Sequence, residues 1–157
     1  MRARTAHYDG GFVSADPRFG HAHITVLGPF EPDPSTEALD VLAALAAATP
    51  PIDVRLAEIA QFPNGIIHLV PSPAQPLRDL TARLVAAFPG HPPYVGEFGA
   101  GVEPHLTVDA AGDQVSVDST RALLAEVVPV TCVLDRLQLA WWESANCHVM
   151  HEWRFGG

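Results

Sequence analysis

Ala22-His23-Ile24-Thr25-Val26-Leu27-Gly28-Pro29-Phe30 is the stretch on which the fold turns, because a near copy, Pro104-His105-Leu106-Thr107-Val108, occurs in the second half of the chain. In an extended segment residues i and i+2 share a face, so His23 and Thr25 point one way while Ile24 and Val26 pack behind them. His105 and Thr107 repeat that arrangement. One His-apolar-Thr-apolar segment reads as an ordinary half-buried strand. Two copies, each followed by the same succession of elements, read as a duplication that has kept one task.

Outward from each copy the halves run in parallel. After the first, Asp33-Pro34 supplies a cap and first-turn proline for a helix carrying Leu39, Leu42 and Leu45, stopped by Pro50-Pro51. After the second, Asp118 or Ser119 caps a helix with the apolar stripe Leu123, Leu124, Val127 and Val128, ending before Pro129. Ile52, Val54, Leu56 and then Ile59 alternate and skip once; Val130, Cys132, Leu134 and then Leu137 do the same. The shared skip predicts a bulge or an edge change at one place in both halves. Each half adds one more β-prone run, Gly65 to Val70 and Cys147 to Phe155, the latter entered through a turn at Ser144-Ala145-Asn146. Between the halves, Leu77, Leu80, Leu84 and Phe88 mark a helix closed by Pro89-Gly90. The loop His91-Pro92-Pro93-Tyr94-Val95-Gly96 follows and is expected to border a cleft. The implied fold is α+β: one bilobal, pseudo-twofold duplicated domain over residues 1–157. Each lobe is an antiparallel sheet with helices packed outside, and the two histidine strands face each other across a central cleft. The pattern leaves strand order open.

Composition narrows the function. With 157 residues, 48% of them apolar, the chain can bury a core as a single domain. It contains no apolar run of the roughly 18 residues that a membrane helix needs. A formal charge of −9 opposes the counterion release that drives tight binding to long nucleic acids, leaving a small phosphodiester, nucleotide or RNA end as the expected partner. Two cysteines, Cys132 and Cys147, and no apolar leader point to a reducing cytoplasm; a monomer is expected.

Phosphodiester cleavage needs one group to take a proton from the attacking oxygen and another to give one to the leaving oxygen. An imidazole, with a pKa of about 6.5, does either. A threonine hydroxyl beside each histidine can donate to the nonbridging oxygens, where charge develops. This chemistry calls for no metal and no cofactor, so activity is expected to survive a chelator. A metal pair at His21 and His23 lacks a carboxylate or cysteine at matching spacing, and strand alternation disperses Cys147, His148 and His151.

The paired motifs resemble the 2′-5′ RNA ligase family within the two-histidine phosphoesterase superfamily. Phe62-Pro63, Pro92-Pro93-Tyr94 with Phe98 beyond, and Trp153-Arg154-Phe155 look like its secondary landmarks. The resemblance spans nearly the whole chain. It implies a bilobal fold, a central cleft, and the opening of 2′,3′-cyclic phosphates or the making and breaking of 2′-5′ linkages. Catalytic roles carry over to His23, Thr25, His105 and Thr107, with acid and base unassigned. His68 stands where an aromatic or other bulky residue is expected and is a candidate for setting substrate choice. Tyr94 and Phe98 are candidates to stack on a base, weighed against core packing; Phe30 is weighed against a hydrophobic plug, and Arg154, as a phosphate ligand, against a surface cation. Two other functions fit the same pattern: a nucleotide-binding module without catalysis, and an enzyme of this fold recruited to a specialised metabolic pathway.

Overall fold

A computed structural model of the chain describes residues 1–96 and 102–157. A short N-terminal helix α1 (Arg2–Tyr8) leads through a tight turn at Gly10–Phe12 to the first histidine segment. Helix α2 (Thr36–Ala47), strands β1 (Ile52–Gln61) and β2 (Ile66–Ser72), and helix α3 (Gln75–Ala87) complete the first half. Strand β3 (Leu106–Ala110), helix α4 (Val117–Leu123) and strands β4 (Val130–Leu134), β5 (Arg136–Trp141) and β6 (His148–Arg154) form the second. The order is α+β and duplicated, as expected from the sequence.

Among the described residues every strand pairing is antiparallel. One sheet has four strands in the order β3-β2-β1-β4, and β5 and β6 form a separate hairpin. The halves exchange their histidine segments: β3 of the second half pairs with β2 of the first, while the first half's segment shares a cavity wall with β5. The shared skip has two outcomes. In β1 it is a bulge between Leu56 and Glu58; in the second half the chain leaves the large sheet at Asp135 and starts β5 in the other.

Three details depart from the sequence reading. His23 to Val26 lies in no strand; it is held by Ile24, Val26, Leu27 and Phe30 packing on the main core rather than by a ladder. Gly20 precedes it and Gly28-Pro29 ends it, so the run that could pair is short. The second copy finds an open edge on β2, where Leu69 pairs with Leu106 and His68 with Thr107; His105 directly precedes β3. The caps also differ. Ser35 accepts from Ala38 N at 3.1 Å to start α2, and Ser116 caps α4 in a reciprocal box with Ser119 at the third helical position, so Asp33, Asp118 and Ser119 are not the N-caps. Finally, α4 stops at Leu123. Leu123 and Val127 are therefore 56% and 59% exposed, while Leu124 and Val128 turn onto the sheet.

The main core gathers Leu42 and Ala46 of α2, Leu77, Leu80 and Leu84 of α3, Ile52 and Val54 of β1, and Leu137 and Phe155. Burying each leucine contributes about 2 kcal/mol, enough to fix α2 and α3 beneath the first histidine segment. A polar network outside this core ties down the N-terminus. Asp109 of β3 is buried and accepts from Arg4, from Tyr8 Oη at 3.1 Å and from Thr120 of α4. Burial alone would raise the Asp109 pKa, but the bonds from Arg4, Thr120 and Tyr8 outweigh it and hold the carboxylate ionised.

At the other end, the Gly10–Phe12 turn docks on the β5-β6 turn, with Ala145 N donating to Gly11 O at 2.7 Å. A Cβ on Gly11 would lie 2.2 Å from Ser144 Oγ, so a larger residue here would force the serine aside.

Candidate active site

The second motif is built from β2 and β3. His105 Nδ1 donates to the Glu103 carbonyl at 2.8 Å, which fixes the ring and leaves Nε2 as its available nitrogen. Glu103 is itself gripped by Arg78 of α3, whose Nη2 lies 2.6 Å from Oε2. The His105 ring meets Phe62 edge-on at 4.9 Å and 86°, and His68 at 5.5 Å and 67°. His68 is 4% exposed and lies flat on Phe62, at 3.9 Å between centroids and 19° between planes. Burial lowers its pKa, only partly offset by the Ile66 carbonyl, and charge on His105 lowers it further. His68 is therefore a neutral wall of the site, in contact with one of the two motif histidines.

The first motif sits between the β5-β6 hairpin and the loop after α3. His23 keeps an exposed edge but is crowded by protein, and this desolvation is the leading cause that pushes its pKa below 6.5. Ring bonds to the backbone of His21 and Gly20 act the other way, while charge on His105 lowers the value again. Charge on His105 thus reaches the His23 ring. Trp142 lies against His23, with centroids 5.0 Å apart at 46°.

Thr25 is half-buried and shares its surroundings with Tyr94. The Tyr94 hydroxyl, whose pKa is raised by burial, is hydrogen-bonded to the Thr25 hydroxyl. Tyr94 N also donates to Gly28 O at 2.6 Å, clamping the loop to the end of the first motif. Tyr94 and Val95 hold this turn with φ of 50° and 53°, a left-handed conformation costly for a β-branched residue. The loop therefore borders the first motif, where its place between the two halves of the sequence puts it. Thr107 is exposed on β3, opposite His68.

The remaining candidates spread out. Phe30 packs on Phe88 at 5.0 Å and on His91 at 4.8 Å and reaches the inner wall of the cavity beside His23. Arg154 is exposed and ion-paired with Asp135 at the base of the β5-β6 hairpin. Phe98 lies outside the described residues. His148 and His151 are engaged separately, His148 Nδ1 with Asn146 O at 2.9 Å and His151 stacked on Trp153 at 15°. Among the described residues no three His, Cys, Asp or Glu side chains converge as a metal site, and no helix is long and apolar enough to cross a membrane.

Two neighbours of the motif histidines carry no mark in the sequence: Trp142 beside His23, and Glu103 behind His105. Phe62 enters the sequence reading only as a landmark. The available signal is position alone, since Trp142 directly follows β5 at the hairpin turn and Glu103 lies two residues before a motif histidine. The cavity beside His23 measures about 860 Å³ and is lined by His23 and Thr25 but not by His105 or Thr107, which belong with the large sheet.

Residues 2–146 match the family model described as the 2′-5′ RNA ligase superfamily. The chain is similar in structure to TT0787 of Thermus thermophilus, with a TM-score of 0.61 and 18% identity over 99% of this chain and 92% of the other. It is similar to E. coli LigT complexed with 3′-AMP, with a TM-score of 0.56 and 18% identity over 99% and 91%. A protein described as a phosphoesterase gives a TM-score of 0.56 and 16% identity over 99% and 92%. No match is found among curated proteins.

Proposed function

We propose that this chain, which belongs to the 2′-5′ RNA ligase superfamily, is a metal-independent phosphodiesterase acting on a 2′,3′-cyclic phosphate or a 2′-5′ linkage. The observation that carries this reading is the duplicated motif, each imidazole followed by a threonine two residues on, with charge on His105 reaching the His23 ring. In hydrolysis His23, kept neutral by desolvation, takes a proton from water as its oxygen bonds to phosphorus. The ester bond to the ribose oxygen breaks, and that oxygen takes a proton from Nε2 of His105, whose Nδ1–H stays on the Glu103 carbonyl. With a ribose hydroxyl in place of water, His23 takes the hydroxyl proton as that oxygen bonds to phosphorus, and the leaving ribose oxygen of the cyclic phosphate takes its proton from His105, which gives ligation from the same groups. Thr25 and Thr107 donate to the nonbridging oxygens. LigT has been solved with 3′-AMP, ATP and NADP+, which supports a small nucleotide as the ligand here.

The test is turnover of a panel of 2′,3′-cyclic nucleotides and 2′-5′ dinucleotides in EDTA. His23→Ala and His105→Ala are each expected to lower kcat about 10²–10⁴-fold, the range for losing a general acid or base, with the circular dichroism spectrum kept. Full turnover in either variant rejects the acid and base pair. Binding of these ligands without turnover in the wild type supports the binding-module reading instead.

A further inference from the structure

Rings wall the cleft beside His23. All three tryptophans of the chain, Trp141, Trp142 and Trp153, line one cavity. Its volume of about 860 Å³ falls in the range of small-molecule sites, roughly 300–1,000 Å³. Trp141 is held by its indole N–H, which donates to Glu143 at 3.0 Å. Trp142 is placed differently. It is 42% exposed, yet braced by Phe19 at 4.7 Å and Phe12 at 6.5 Å, both from the segment that leads into the first motif. Phe19 itself is only 7% exposed, so the support is rigid while the supported ring is open. The cations at the mouth are already occupied: Arg136 by Asp135 and Glu152, and Arg18 by Asp16. With a net charge of −9, long-range attraction works against a phosphate, and affinity has to come from the apolar part of the ligand.

Resting on the phosphodiesterase reading above, we propose that Trp142 is the stacking platform for the nucleobase of the substrate whose phosphate lies at His23. A base presents a π-face of the right size to an indole, and stacking tolerates any base identity. Trp142 acts in binding and takes no proton.

The experiment is a titration followed by intrinsic tryptophan fluorescence, with 3′-AMP, ribose 5-phosphate and di-n-butyl phosphate as probes. The wild type is expected to bind 3′-AMP at least about tenfold more tightly than either base-free probe. Trp142→Ala weakens 3′-AMP about tenfold, in the range measured for losing one stacked base, and leaves ribose 5-phosphate unchanged; Trp142→Phe retains most of the affinity. Trp141 and Trp153 remain as reporters in both variants, and thermal melts check folding. The proposal is overturned if the wild type shows no preference for 3′-AMP, if Trp142→Ala binds it normally or loses both phosphates equally, or if dibutyl phosphate binds best. A base preference without turnover of any diester would reject the catalytic reading and keep this subsite. Turnover indifferent to the base would do the opposite.

Discussion

At the residue scale the two motif histidines are alike in sequence and unlike in surroundings. His23 is desolvated between the β5-β6 hairpin and the N-terminal segment, whereas His105 is tethered through Nδ1 to Glu103 and flanked by Phe62 and a neutral His68. A lowered His23 pKa means that the ring stays unprotonated further into acid than an ordinary imidazole. The acid limb of kcat/KM, which reports protonation of the free enzyme's base, is therefore expected to have its midpoint below pH 6.5. A pH-rate profile checks this, and a midpoint above 6.5 would remove His23 as the base. The duplicated His-apolar-Thr-apolar pattern was legible from spacing alone, but the alternation that assigns His and Thr to one face holds only for an extended segment, and the first copy lies in no strand. The neighbours of the motif residues were not legible: Trp142 and His68 reach the motif histidines from the end of β5 and from β2, and no local pattern encodes a contact between such distant segments.

At the element scale the sequence announced helices and strands by their apolar spacing and misplaced some of their ends. Ser35 and Ser116 won the cap positions because their hydroxyls reach the N3 amide, which several nearby Ser, Thr or Asp residues could have done in isolation. The first histidine segment carries the same β-prone residues as the second but lies in no ladder, since pairing depends on an available edge rather than on propensity. The anchor of α1 was hidden for a related reason: Asp109, Arg4, Tyr8 and Thr120 belong to three elements and meet only in the fold. Asp109→Ala removes the one acceptor they share and leaves Arg4 without its carboxylate. It is expected to cost about 3 kcal/mol, as for other broken buried ion pairs, seen as a shifted denaturant midpoint with unchanged slope. A loss below about 0.5 kcal/mol would show that α1 is not held by this network.

At the scale of the whole molecule, duplication does the organising. Each half contributes one His-Thr segment, and the halves exchange partners, so that β3 completes the first half's sheet while the first segment closes a cavity against β5 and β6. The skip in the alternating strands marks where this exchange becomes possible: a bulge in one half, a change of sheet in the other. The repeat was legible in the sequence, but the exchange was not, because strand order depends on packing between halves. For the duplication to serve one reaction, His23 and His105 must flank a single phosphorus atom. Nitrogen-15 NMR of the imidazoles during titration with inorganic phosphate reads this out ring by ring. The side-chain resonances of His23 and His105 should shift together with a single midpoint while those of His148 and His151 stay still. Movement of only one motif ring, or of the two with separate midpoints, would contradict it.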